Sequence, residues 1–270
     1  LRCKTGAPAI APACYGPQVK EWVIDQFAET TITRPPAPLS RPRGPNVTEQ
    51  IDRRADTTRL QILRAASRQF ARRSYSVVSL DDILADAQVT KGAMYFHFRS
   101  KHALASAIIE YRAAVARASV DQLLAQKLSG LETLIDISYL VATEDIGDEI
   151  ARAGLNLLES VGRTDGLQAN VLGQWVTAFA AVAGKAVRDG DITEDRDPES
   201  VARLLVSMYL GLRQTSSLAD PDRYLHDLEK MWTLMLPGFV KPDRIDYLHQ
   251  FIKRRTAVAI KRAIPLERMN

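Results

Sequence analysis

Two cysteines, Cys3 and Cys14, are all that the 270 residues hold. The pair is able to form a bond, but it defines neither a disulfide scaffold nor a zinc site. Histidine is nearly as scarce. His97, His102, His226 and His249 are scattered, and none stands in a spacing that gathers metal ligands. G-x-S-x-G, a Walker sequence and a glycine-rich loop after a strand are all missing, which removes the common hydrolase and nucleotide-binding signatures. No apolar run approaches the length of a membrane span. The first residues lack a basic stretch followed by a continuous apolar core. These absences predict a cytoplasmic protein with no membrane partner, no metal, no cofactor and no catalytic activity. The acidic cluster Glu144, Asp145, Asp148 and Glu149 reads as ordinary charge at a helix start.

What is present is helical periodicity, and strand alternation does not compete with it. Apolar positions predict helices over about 55–73, 101–127, 131–143, 148–160, 170–188, 199–214 and 222–235. Pro237-Gly238 stops the last of these, and K-R-R-T-A-V-A-I-K-R near the end makes a terminal helix. The fold class expected is all-α. The chain is expected to divide into a proline-rich irregular tail at 1–50, a three-helix unit at 51–101, a larger helical body at 102–240 and a basic helical extension at 241–270. At 46% hydrophobic residues the chain is long and apolar enough for two cores.

The most informative stretch is S-L-D-D-I-L-A-D-A-Q-V-T-K-G-A-M-Y-F-H-F-R-S-K, from Ser79 to Lys101. Ser79 is an N-cap with Asp82 three positions on. Leu80, Ile83, Leu84 and Ala87 fall on one face of a short helix. Gln88-Val89 makes a turn, Thr90 caps the next helix, and Lys91, Gly92 and Ala93 form its first turn. Small side chains there let a helix approach base edges, and its free N–H groups attract phosphate. Tyr95 and His97 are placed for phosphate oxygens, and Lys101 for another. Met94, Phe96 and Phe98 are expected to pack inward. A preceding helix carries the apolar stripe Ile62, Leu63, Ala66 and Phe70. This is the construction of a helix-turn-helix that reads a major groove.

Charge agrees. Residues 51–101 hold ten Lys/Arg against five Asp/Glu, and residues 1–50 six against four, although the whole chain is only +4. Positive charge concentrated in one small domain supplies the salt-sensitive part of DNA affinity. The tail carries eight prolines and, just before the domain, Arg34, Arg41 and Arg43. It reads either as an arm for a minor groove or phosphates or as a plain extension, with a short helix at 19–28.

The segment 59–109 resembles the N-terminal domain of the TetR family of transcriptional repressors. T-K-G-A-M-Y-F-H-F-x-S-K-x-x-L-A at 90–105 is similar to the gamma-butyrolactone-receptor branch, whose members release DNA on binding small diffusible signals. R-A-G-L-N-L at Arg152–Leu157 and Trp175 about twenty residues later resemble further features of that branch. The resemblance implies a homodimer on a palindromic operator in double-stranded DNA, a small-molecule signal, and control of antibiotic or secondary-metabolite genes. The DNA-binding set expected is Arg53, Ser79, Thr90, Lys91, Gly92, Ala93, Tyr95, His97 and Lys101.

Three departures stand out. Ser74 precedes Tyr75 where the family has glycine, Gln88 occupies a turn position that is often glycine, and Asn156 replaces an arginine in the pattern R-A-G-x-R-L. The last implies an altered pocket or helix contact. It keeps open a regulator that answers to an antibiotic or pathway intermediate, or to nothing.

On physics alone Trp175, on a mostly apolar helix, is core. The resemblance makes it a pocket residue. Tyr139, Phe179 and Tyr209 are aromatics on helices able to converge with it, and a buried phenol needs a hydrogen-bond partner, which a ligand is one way of supplying. Leu155, Val176 and Met208 read equally as pocket walls or as plain core, and Gln174 and Gln214 are expected as groups that orient a polar ligand. The helices at 199–214 and 222–235 match the family's dimer-forming pair, with Ser207 and Gly211 permitting close approach.

Overall fold

The computed structural model describes residues 47–163 and 166–268, with side chains from Asp56 to Glu267. The proline-rich tail, its short helix, both cysteines and the side chain of Arg53 lie outside the described residues. The elements are α1 (Val47–Arg72), α2 (Leu80–Ala87), α3 (Lys91–His97), α4 (Lys101–Leu124), α5 (Gly130–Gly147), α6 (Glu149–Ser160), α7 (Leu167–Arg188), α8 (Pro198–Thr215), α9 (Pro221–Met235) and α10 (Pro242–Arg262). Short 3-10 turns lie at Leu236–Gly238 and Leu266–Arg268. Among the described residues β pairing is confined to one isolated bridge, Ile192 with Val240. The fold is all-α, and no described helix is long and apolar enough to cross a membrane.

Helix starts follow from local chemistry. Ser79 and Ser129 form reciprocal capping boxes with Asp82 and Glu132, which satisfy backbone donors that a helix leaves unpaired. Asp197 and Asp220 cap α8 and α9, each followed by proline in the first turn, where its fixed φ is pre-set for helix. α1 and α10 start well before their periodicity predicts. α1 starts two residues after Pro45, and no proline follows until Pro198 to stop it. α10 starts at Pro242 because Leu248, Phe251 and Ile252 continue the buried face of the basic segment.

Three apolar clusters hold the helices together. One joins Ile62, Leu63 and Phe70 of α1 to Met94, Phe98, Leu104 and Ile108, and extends to Leu157 and Leu158 of α6. A second is built on α5, α8, α9 and α10, around Leu131, Ile135, Leu228, Trp232 and Ile252. A small third one, Val176 with Ala202 and Val206, forms the seam of α7 and α8. α6 therefore belongs to the core of the N-terminal head, which anchors that head to the rest. Gly154 permits this: a Cβ there would sit 2.8 Å from Cβ of Arg112 on α4.

The C-terminal segment returns to the head. Leu266 is 1% exposed in the head cluster, and Glu267 pairs with Arg152 Nη1 at 2.6 Å. Arg152 also donates to the carbonyls of Asp145 and Ile146 at 2.9 and 2.7 Å. One guanidinium so ties the end of α5 to α6 and to the C-terminal segment.

Candidate nucleic-acid interface and sensing core

The head presents one outward helix face. On α3, Lys91, Gly92, Tyr95 and Phe96 are exposed, and Met94 is buried. Residues at i, i+1, i+4 and i+5 share a side of a helix, and α3 is short enough to lie in a major groove. Phe96 was expected inside with Met94 and Phe98, but it is 80% exposed. The helical period explains the correction: Met94 takes the inward position, two residues from Phe96 and so about 200° away. Phe98 follows the helix end, where extended backbone turns it back into the core. Phe96 belongs to the outward set, and its i+4 spacing from Gly92 was the available signal.

The other residues of the expected set divide by what they already do. The Ser79 hydroxyl accepts from Asp82 N at 3.0 Å and that of Thr90 from Ala93 N at 3.2 Å, so both shape helix starts. Hydrogen bonds from Ser79 hold the Asp82 carboxyl below its ordinary value. Ala93 is half-buried. His97 is half-buried, edge-on to Phe96 with ring centroids 5.0 Å apart. Lys101 is half-buried with its ammonium 4.2 Å from the centroid of Tyr75, and this burial lowers its pKa. Tyr75 in turn stacks on Phe70 at 5.8 Å.

The turn holding α2 against α3 is strained at one residue. Gln88 has φ 52° and ψ 40°, and it is the non-glycine with positive φ among the described residues. Ser74, the other departure from glycine, does not need such backbone. Gln61 Nε2 donates to Ala87 O at 2.7 Å, and Arg68 grips Asp86 at 2.6 Å. Both clamp the end of α2 to α1.

The expected ligand set is not gathered around one cavity. Tyr139 Oη bonds Thr256 Oγ1 at 2.7 Å, and Tyr209 donates to Asp145 Oδ2 at 3.2 Å. Both phenols are buried with protein partners, so neither needs a ligand to satisfy its hydroxyl. Burial raises the pKa of each. Leu155 and Met208 are buried in the second cluster. Gln174 and Gln214 are exposed, bonded to Asn170 and Glu159 respectively. Neither points to the interior, because both fall on the polar faces of their helices. Phe179 is partly buried.

Trp175 is placed differently from the rest. It is partly buried and packs against all three clusters, so it stands where the head core, the second core and the α7–α8 seam meet. Val176 lines an open cleft of about 530 Å³ between α7 and α8, with Leu172, Gly173, Ala180 and Arg203. Beside this cleft α8 exposes Leu204, Ser207 and Gly211. Leu204 is 44% exposed, and a Cβ on Gly211 would meet nothing within 4 Å.

Comparison with known proteins bears on this geometry. Residues 62–108 match the family described as bacterial regulatory proteins, tetR family. Residues 128–241 match the tetracyclin repressor-like C-terminal domain. The A-factor receptor protein of Streptomyces griseus is 30% identical over 198 residues, 72% of this chain and 68% of the relative. A crystal structure of a gamma-butyrolactone receptor, described as an ArpA-like protein, is 30% identical with TM-score 0.63, over 75% of this chain and 97% of the other. CprB of Streptomyces coelicolor, solved in complex with its biological operator sequence, is 32% identical with TM-score 0.64, over 74% and 97%.

Proposed function

The chain belongs to the tetR family of bacterial regulatory proteins, and from that premise we propose that it is a dimeric repressor released from a palindromic operator by a small diffusible signal. It is a DNA-binding regulator similar to gamma-butyrolactone receptors, in a family that does not catalyse reactions. The observation that carries the proposal is the outward face of α3, where Lys91, Gly92, Tyr95 and Phe96 stand clear of a packed head. One seven-residue helix contacts too few base pairs for a specific site. Two copies on a two-fold axis read a palindrome with half-sites spaced by the helical repeat. The open side of α8 at Leu204, Ser207 and Gly211, beside the α7–α8 cleft, supports that pairing.

In this reading the signal is of gamma-butyrolactone, butenolide or furan type, and the genes controlled serve antibiotic or other secondary metabolism. The similarity to an A-factor receptor and to a gamma-butyrolactone receptor supports that reading. The position of Trp175 at the meeting of three cores supports a role in sensing, because a ligand wedged there separates head from body. Ligand acts only through its differential affinity for the bound and released arrangements. A hundredfold preference for the released one contributes about 2.7 kcal/mol per site, comparable to one or two good base contacts.

The test is a duplex selected from a random pool by the full-length protein. Lys91→Ala with Tyr95→Ala should abolish retention of that duplex. Unchanged sequence-specific affinity means that the reading helix is misassigned. Trp175→Ala should preserve binding and blunt release by a culture extract or a synthetic lactone. Equal loss of both functions makes Trp175 a packing residue only.

A further inference from the structure

α6 lies between the head and α8, and one side chain on it touches both. Asn156 Nδ2 donates to the carbonyl of Phe70 at 3.1 Å and reaches that of Ala71 at 3.5 Å. These carbonyls are in the last turn of α1, where a helix leaves its C=O groups unpaired. Asn156 Oδ1 accepts from Arg213 Nη2 on α8 at 3.0 Å. Only this orientation of the amide works, since carbonyls can only accept and a guanidinium can only donate. Asparagine carries both halves in one short group. An arginine at this position would cap the carbonyls but offer Arg213 nothing to donate to.

The far end of the link is anchored without water. The Arg213 side chain is 3% exposed and that of Asp145 0%. Arg213 Nε meets Asp145 Oδ2 at 2.6 Å, and Nη1 meets Glu159 Oε1 at 2.5 Å. Tyr209 donates to the same Asp145 carboxylate. An unbroken series of hydrogen bonds thus runs from the backbone end of α1, through α6, to α8 and α5. Arg72 on α1 pairs with Glu149 on α6 at 3.3 Å beside it, but its side chains are about one-third exposed, so salt and water weaken that contact.

We propose that Asn156 is a positioning residue for operator binding: with Arg213 it forms the joint by which the setting of α8 fixes the end of α1 and hence the attitude of the reading head. A shift of α8 against α5 pulls Arg213 from Asn156, and the amide can no longer hold both carbonyls. The inference deepens the repressor reading and rests on it for the consequence at DNA, though the joint itself can be measured without DNA.

The experiment is hydrogen exchange on the full chain, together with affinity for the selected duplex, for N156A, N156D, R213K and N156A/R213K. R213K keeps a cation against Asp145 while removing the Nη2 bond to Asn156, so it serves if N156A folds poorly. It should raise exchange in the last turn of α1 roughly fivefold, about the loss of one hydrogen bond. N156D keeps an acceptor for Arg213 but sets a carboxylate against two carbonyls, so α1 should fray while α8 stays protected. The double variant should fray α1 no more than N156A alone. Duplex affinity should fall in parallel, with the salt dependence kept because no phosphate contact is lost.

Exchange under R213K confined to α5 and α8 overturns the joint. So does a frayed α1 with undiminished affinity for the duplex. If instead Lys91→Ala with Tyr95→Ala leaves DNA binding intact, the repressor reading fails while the exchange result stands.

Discussion

Replacing Gln88 with glycine should stabilise this protein, although glycine elsewhere in a helical chain weakens it. Gln88 is the C-cap of α2 at φ 52° and ψ 40°, a conformation that crowds Cβ against the following carbonyl and costs about 1–2 kcal/mol for most residues. Glycine removes that cost. Its greater freedom in the unfolded chain offsets about 0.5–1 kcal/mol of the gain, which leaves a net of about 0.5–1 kcal/mol. The side chain contributes little to the balance. It is exposed, and the end of α2 is held by Gln61 and by the Arg68–Asp86 pair instead. For a chain of this size that net is a rise of about 2 °C in melting temperature, read by calorimetry or circular dichroism. Gln88→Ala keeps the strain and should leave the midpoint within about 1 °C of the parent. Gln88→Asn should lie between, because asparagine tolerates left-handed backbone. The positions of α2 and α3 do not depend on the substitution, so duplex affinity should remain within about twofold. A rise with alanine equal to that with glycine would place the effect in the side chain and refute the argument from φ.

Three further outcomes follow from the packing. Gly154→Ala drives a methyl to 2.8 Å from Arg112 Cβ, so α4 must move from α6 at a cost of about 1–3 kcal/mol, visible as a lower urea midpoint. Phe96→Ala removes a ring that is 80% exposed. It should leave the melting temperature unchanged and weaken the selected duplex by about 1 kcal/mol, with relaxed preference at a thymine whose methyl it meets. A fall in melting temperature without change at DNA would return Phe96 to a packing role. Leu266→Ala opens a hole between the tail and the head and should cost about 2 kcal/mol, with faster exchange in α1 and α6 than in α9. Uniform exchange across the chain would show that the tail does not anchor the head.

How much could be read beforehand differs between backbone and side chains. Ser79, Thr90, Ser129, Asp148 and Asp197 mark helix starts through hydroxyls or carboxylates that reach amides two or three residues away, and interactions that local are written in the order of residues. The stripe Ile62, Leu63, Ala66 and Phe70 is buried as its spacing requires. Phe96 misled because an aromatic cluster suggests a core, whereas the helical period sends its members to different sides. Tyr139 and Tyr209 misled because their partners, Thr256 and Asp145, are 117 and 64 residues away.

The order of residues therefore determined the helices, their caps, the basic head and the outward face of α3, since each rests on contacts within a few residues or on charge alone. Tertiary structure decided which phenols are satisfied, that the C-terminal segment returns to the head through Leu266, and that Asn156 joins α1 to α8. Those depend on which distant surfaces meet. A hydrogen-bonding group has the same chemistry in every chain, and only the packed fold brings its partners to 3.1 and 3.0 Å.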